Sequence, residues 1–433
     1  MLIAMDTTSQ PSPDGFTGSR RHHGIAFWGV AVAFVLTMGC SALPTPLYVL
    51  YQHRDGISNL MVTVVYAVFA FGVIGSLFFG GHLSDWIGRR RVFVPAMLGN
   101  VISAVVFIVD PSLGGLIVAR IISGVSIGLT TATATSYLAE LHASARPSAN
   151  QRRAGVVAST SNLGGIGIGP LVAGLLAQFA PAPLVLPYVV FGSALIALAL
   201  AVGLSPETVR RAEPRPPYRP QRIAVPANAR SLFYAATLAG LSAFAVFGVF
   251  NSLVPSFLAG TLHEHSHAVA GAVTFAAFGG GTVAQILGGN IPALVLLRRS
   301  VPMIALGLAL AAGGMSSDSL GLFVIGGVIT GAGGGTVFKG SLAVVASTAP
   351  SGSRAEVLAG FFFGAYMGLS VPIVGLGIAT EYIPARNGML VFAALAVLAI
   401  AVSVREVSRR TITPPARDRH HPRAQLSVTA AAD

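Results

Sequence analysis

Two stretches near the start of the chain, Gly24 to Leu50 and Ile57 to Leu83, contain no charged residue at all. A strand buried in a soluble core needs an apolar run of only four to eight residues. A helix that crosses the hydrocarbon of a bilayer needs about 20. Ten further apolar runs follow, giving expected spans at 24–50, 59–83, 92–109, 113–138, 154–178, 184–204, 231–258, 268–291, 300–316, 319–348, 357–380 and 386–404. The length of 433 residues would also allow one or two soluble α/β domains. Composition excludes them. Only 10% of residues are charged and 53% are hydrophobic, whereas a soluble domain carries roughly 25% charged residues to cover its surface. The lipid bilayer is therefore the solvent of this chain.

The joints between runs carry helix-ending residues, among them Asp110-Pro111, Pro181-Ala182-Pro183 and Ile383-Pro384. The longest break is rich in Pro and Arg and has no apolar period, so it reads as an extended linker. The expected plan is an N-terminal tail 1–23, a six-helix bundle 24–204, the linker 205–230, a second bundle 231–404 and a tail 405–433. Arg20 and Arg21 precede the first run as they would in a signal peptide, but the run is too long for one and many more follow. The single cysteine, Cys40, sits inside the first run and has no partner in the chain.

The net charge of +12 would suggest nucleic acid in a soluble protein. Its location says otherwise. With both termini on the cytoplasmic side, 23 of the 27 Lys and Arg residues fall in cytoplasmic segments and only Arg54 and Arg386 fall outside. Arg120 and Lys339 lie within spans. Positive charge is held on the cytoplasmic face during insertion, so the excess is a topology signal and no nucleic-acid partner is expected. The expected location is the cell membrane, multi-pass.

The halves look like copies. At an offset of 207, Phe71-Gly72 falls on Phe278-Gly279, Gly81 on Gly288, Gly124 on Gly331 and Gly128 on Gly335. Fixed-period self-similarity of this kind marks a duplicated structural unit.

Between the second and third runs stands Gly81-His82-Leu83-Ser84-Asp85-Trp86-Ile87-Gly88-Arg89-Arg90-Arg91. Gly81 and Gly88 let the backbone turn and pack closely. Asp85 can pair with Arg89 or Arg90, or sit against the positive N-terminus of a neighbouring helix. The bland alternative is a loop of positive-inside arginines. The segment resembles the signature G-x-L-x-D-x-x-G-R-R/K of the major facilitator superfamily, in the loop where that family carries it. The resemblance extends over the twelve-span plan. It implies an all-α membrane fold of two six-helix bundles around a central cavity. It also implies that Gly81, Asp85, Gly88, Arg89 and Arg90 form a gating loop rather than a substrate site. The second half lacks the loop: Asp85 aligns with Pro292, and only Arg298 and Arg299 echo its cations.

Arg120 lies in Leu116-x-x-x-Arg120-x-x-x-Gly124-x-x-x-Gly128. A bare cation at membrane depth costs about 2.5–3.5 kcal/mol on insertion scales, so it faces protein or water, or snorkels to the outer interface. The pattern resembles the family's fourth-helix arginine motif, which implies proton coupling. In the fifth run, Gly165, Gly169, Pro170 and Gly174 are small or kinking residues that groove a helix for a neighbour. They resemble the antiporter motif G-x-x-x-G-P-x-x-G-G, with Ala173 in place of one glycine, and so imply proton-coupled export. Lys339, the only lysine, is either a cavity cation or a lysine at the cytoplasmic end of its span. Ser41, Asn251 and Gln285 are further cavity candidates, as are Thr37, Thr45 and Ser252; each can instead bond its own helix backbone.

No acidic residue falls in the middle of a span. A cavity without a carboxylate suits a neutral or anionic solute better than a lipophilic cation. His263, His265 and His267 alternate in an outer loop, which reads as solvated chain, so no metal site is expected. No phosphate-binding Gly-rich Lys loop and no hydrolase motif is present, so neither a nucleotide cofactor nor enzyme chemistry is expected. The implied function is secondary active transport of a small molecule, export driven by protons, by a monomer. The alternatives are proton-coupled uptake by the same fold and a non-transporting membrane sensor.

Overall fold

The computed structural model describes residues 20–209, 225, 227–349 and 354–412. Most of both expected tails and of the expected linker lie outside the described residues. Among the described residues, twelve helices are long and apolar enough to cross a membrane: α1 Arg20–Asp55, α2 Asn59–Gly80, α3 Arg89–Val109, α4 Leu113–Ala145, α5 Arg152–Phe179, α6 Leu186–Gly203, α7 Arg230–Ser252, α8 His267–Asn290, α9 Ala293–Ser316, α10 Leu320–Thr348, α11 Glu356–Tyr382 and α12 Ala385–Arg410. Among the described residues there is no strand. The first six helices form one bundle and the last six another, and the bundles meet along α5–α8 and α2–α11.

Several limits move outward from those expected. α9 begins at Ala293 rather than 300, so Arg298 and Arg299 lie within the helix and not in a loop. α12 runs to Arg410 rather than 404, and α4 to Ala145 rather than 138, which brings Glu140 into the helix. Apolar content marks only the part of a helix in hydrocarbon; the polar last turns stay helical in the interface, where Arg and Lys stems snorkel. The seventh span, expected over 231–258, is α7 followed by a break at Leu253 and a short helix Val254–Thr261. α1 is likewise interrupted at Leu43, before Pro44 and Pro46. Proline removes a backbone donor, so these breaks leave carbonyls free for other partners.

The duplication is visible in the helix caps and in the packing. Ser58, Ser112, Ser266 and Ser319 each accept a backbone N–H three residues ahead, and so start α2, α4, α8 and α10. Ser112 and Ser319 are 207 apart, but Ser58 and Ser266 are 208 apart. The glycine contacts give the same register. A Cβ on Gly72 of α2 would meet the Ile121 carbonyl of α4, and one on Gly280 of α8 would meet the Val328 carbonyl of α10. Likewise Gly124 abuts the Phe69 carbonyl and Gly331 that of Ala277, while Gly128 abuts the Val73 carbonyl and Gly335 that of Gly281. The partner of Gly72 is therefore Gly280, not Gly279, whose Cβ position is open space. The offset of 207 holds for α4 and α10. It is one residue short for α2 and α8, because the stretch from α8 to α10 is one residue shorter than that from α2 to α4.

Candidate substrate cavity and gating loop

Between the bundles lies a cavity of about 320 Å³, lined from both sides. That is at the lower end of the roughly 300–1,000 Å³ of small-molecule sites. At one end, where the α1–α2, α5–α6, α7–α8 and α11–α12 connections lie, the bundles are tied together. Ser256 donates to Gln52 Oε1 at 3.2 Å, the His267 amide to Gln178 Oε1 at 3.0 Å, and the Leu60 amide to Glu381 Oε1 at 3.4 Å. Deeper in, Thr45 donates to both the carbonyl and Oδ1 of Asn251 at 2.8 Å, and Asn251 Nδ2 donates to the Tyr66 hydroxyl at 3.3 Å. At the other end the lining residues Thr135 and Gly155 are exposed. The cavity is closed on one side and open on the side where α1 begins and α12 ends.

Arg120 lies under the closed end, only 1% exposed, and lines the cavity. The interruption of α1 prepares its site, because the Ser41 carbonyl accepts from Arg120 Nη1 at 2.6 Å. The Tyr48 hydroxyl accepts from Nε at 2.8 Å and from Nη2 at 2.5 Å. The guanidinium carbon stands 5.5 Å from the ring centres of Tyr48, Tyr66 and Phe69, a cation–π cage. Arg120 thus faces the protein interior rather than the outer interface. Ser41, Asn251 and Gln285 all line the cavity. Lys339 does not: its Nζ donates to the Gln285 carbonyl at 2.5 Å, tying α10 to α8. Thr37 and Ser252 bond carbonyls of their own helices, while Thr45 belongs to the closure.

The loop after α2 forms a short helix, Leu83–Ile87, and a sharp turn at Gly88. Gly88 has φ +119°, a conformation that side chains rarely adopt, and a Cβ there would collide with the Glu207 carboxylate. That carboxylate caps α3, accepting the Arg89 amide at 2.7 Å, at the positive end of the helix. Arg89 is the hub. Its guanidinium pairs with Asp85 at 2.5 Å and with Glu140 of α4 at 2.8 Å, and donates to Ser84 at 2.8 Å. Arg90 takes a different role, donating to the carbonyls of Gly203 and Ser205 at 3.1 and 2.9 Å. Thr208 donates to Glu140 at 2.5 Å, and the Tyr137 hydroxyl to the Pro206 carbonyl at 2.7 Å. The loop therefore binds the first residues after α6 onto the end of α4. Gly81 ends α2 as its cap.

The four residues of the α5 motif divide between two faces. A Cβ on Gly165 would meet the Val35 carbonyl of α1, and one on Gly169 the Gly39 carbonyl. Gly174 lies against His267 and Gly271 of α8, and Gly271 against the Pro170 carbonyl. The second face makes the α5–α8 seam between bundles, backbone on backbone, beside the closed end.

Four groups central to this geometry had no signal of their own in the sequence. Tyr48 and Tyr66 are ordinary aromatic residues in apolar runs, and Glu207 and Thr208 sit in what reads as a linker. The Pro44-x-Pro46 pair, which breaks α1 just before Tyr48, is the one local cue. Among the described residues, no group of three His, Cys, Asp or Glu side chains could hold a metal.

Twelve spanning helices among the described residues, in two bundles with a cavity at their junction open to one side only, make the architecture of a carrier of solutes across a membrane. The family model for the Major Facilitator Superfamily matches residues 30–315, and the chain belongs to that superfamily. It is similar to the crystal structure of a bacterial homolog of the human lysosomal transporter Spinster, in an inward-facing and unoccupied conformation. The TM-score is 0.64 at 15% identity, covering 90% of this chain and 99% of that one. A stretch of 94 residues is 34% identical to the arabinose-proton symporter of Bacillus subtilis (strain 168). That stretch is 22% of this chain and only 19% of the symporter's length.

Proposed function

We propose that this chain is a secondary active transporter of the cell membrane that exports a small neutral or anionic organic molecule, driven by protons. The bundles rock about the central cavity, exposing it to each side in turn. The observation that carries this reading is the cavity itself, walled by both bundles, tied shut at one end and open at the other. Both termini are placed in the cytoplasm on the arginine bias, so the described state is open to the cytoplasm. The glycine seam of α5 against α8 favours export by its likeness to the antiporter motif. The gating loop acts from the cytoplasmic side: Arg89 and Glu207 fix the end of α3 to α4 and to the chain leaving α6, so the first bundle moves as one body. A monomer suffices, since one chain supplies every wall of the cavity.

A second reading, proton-coupled uptake, is favoured by the partial likeness to the arabinose-proton symporter. The two separate in proteoliposomes with imposed pH gradients. Export predicts that solute moves against the proton flow; movement with it establishes uptake. Accumulation of candidate solutes in cells with and without the gene narrows the choice. Strong ethidium efflux that depends on this protein would refute the neutral or anionic assignment.

A further inference from the structure

The lining of the cavity is chemically lopsided. Among the described residues that line it, only Arg120 is charged, and there is no Asp, Glu, His or Lys. Arg120 satisfies three of its N–H groups on neutral acceptors, a phenol and a carbonyl. It enters none of the ion pairs among the described residues. A guanidinium has five donors, so one N–H on each terminal nitrogen is left over from these contacts, and an anion is the acceptor that a charged donor binds most strongly. The opposite wall, from the second bundle, is mostly aromatic, with Asn251 and Gln285 among its polar members. Phe247 and Phe278 have ring centres 4.9 Å apart, and Phe244 lies 5.2 Å from Phe338 and 5.1 Å from Tyr366. Side chains of this kind offer a ligand flat apolar contact and almost no hydrogen bonds.

We propose, resting on the transporter reading above, that the substrate is an organic anion with a flat apolar body. Its carboxylate, or another anionic head of similar size, binds Arg120 of the first bundle. Its body lies on Phe244, Phe247, Phe278 and Phe338 of the second. A cation meets the guanidinium's repulsion with nothing to offset it. A neutral solute leaves the buried charge uncompensated. A polyhydroxylated solute finds polar partners such as Ser41, Asn162 and Gln285 in the cavity, but its body would lie on phenylalanines that supply no donor or acceptor. The anion is the one class that completes what the cavity lacks. Because head and body rest on different bundles, the occupant bridges the two halves.

The test uses the purified full-length protein and three probes of one shape: benzoate, benzamide and benzylammonium. Calorimetry is expected to show benzoate binding at least tenfold more tightly than benzamide, and benzylammonium more weakly than either. Arg120→Gln is expected to bring benzoate down to the level of benzamide, while Arg120→Lys keeps the order with reduced affinity. Should Arg120→Gln not fold, Phe247→Ala and Phe278→Ala keep the charge. They should narrow the advantage of benzoate over acetate severalfold. Equal binding of benzoate and benzamide overturns the proposal. So does a benzylammonium preference, or failure of acetate, benzoate and 1-naphthoate all to bind at millimolar concentration. Gradient-driven flux of some other solute in proteoliposomes would, in any of those cases, leave the transporter reading standing and remove only the substrate class.

Discussion

Two adjacent glycines in α8 give opposite expectations, and the difference tests how the halves correspond. Gly280 faces α10, where an added Cβ would meet the Val328 carbonyl; at Gly279 nothing lies within 4 Å. The equivalent contact in the first half, Gly72 against the Ile121 carbonyl, would stand at 2.6 Å, against 3.4 Å for ordinary contact. A methyl group there forces the helices apart by about 0.8 Å, and a gap of that size forfeits roughly a quarter to a half of each atomic contact along the seam. Overpacking of this kind costs about 1–3 kcal/mol. At Gly279 the same methyl costs nothing in packing and gains up to about 1 kcal/mol of helix propensity, less in a helix already fixed by its neighbours. Gly72→Ala and Gly280→Ala are therefore expected to lower the midpoint of thermal unfolding in detergent, by several degrees each. Gly279→Ala should leave it unchanged or raised. Fluorescence-detected size exclusion after a heating series reads all three. If Gly279→Ala destabilised as much as Gly280→Ala, the register of 208 between α2 and α8 would be wrong and the sequence offset of 207 would stand.

Other expectations follow from the same contacts. Glu140→Ala strips the buried Arg89 of the carboxylate that accepts from two of its nitrogens; a lost charge-assisted hydrogen bond is worth about 1.5–3 kcal/mol when buried, and the partial exposure of Glu140 reduces this to about 1–2. The variant should insert normally yet unfold several degrees earlier. Asp85→Asn touches a more exposed carboxylate, so stability should hold while transport falls; full transport by that variant would argue against the gating role of the loop. Gly174→Leu places a side chain into His267 and Gly271 and so holds the closed end open. Since Cys40 is the only native thiol and is buried, a cysteine at Ser256 reports this, and Gly174→Leu is expected to raise its alkylation by an impermeant maleimide severalfold. Reporter fusions in successive connections should alternate sides, with the Arg89–Arg91 turn inside; an external signal there would reverse the orientation.

The spans were legible because hydrocarbon imposes one requirement on every residue of a segment, and that requirement adds along the chain. Helix ends were less legible because Arg298, Arg299 and Glu140 are helical but polar, and local composition reads them as loop. The Asp85-x-x-Gly88-Arg89-Arg90 loop was visible as a motif. Its partners Glu140 and Glu207 were not, nor was Thr208, which donates to Glu140, since they come from chain 50 or more residues away and only the fold brings them within hydrogen-bond reach. Arg120 was conspicuous because a charge at membrane depth is expensive. Tyr48 and Tyr66, which make it tolerable, are indistinguishable in sequence from any other aromatic residue of a spanning helix. Lys339 shows the limit from the other side: two cations in spans look alike in sequence, yet one lines the cavity and the other pins α10 to α8.

The cavity and its seal share atoms, which gives a solute a physical means of acting on the gate. The Tyr66 ring faces the Arg120 guanidinium, and its hydroxyl accepts from Asn251, the residue that Thr45 ties across the bundles. A ligand can shift an equilibrium between two states only by binding them with different free energy. An anion on Arg120 draws on the guanidinium's field, which the Tyr66 ring shares, and the Tyr66 hydroxyl is bonded to Asn251 in the arrangement that seals the closed end. Occupancy therefore weakens that arrangement selectively, whereas a solute held by the aromatic wall alone touches none of it. Charge at Arg120 is for this reason expected to govern the rate of interconversion as well as affinity, and neutral isosteres that still bind should exchange across the membrane more slowly than their occupancy predicts.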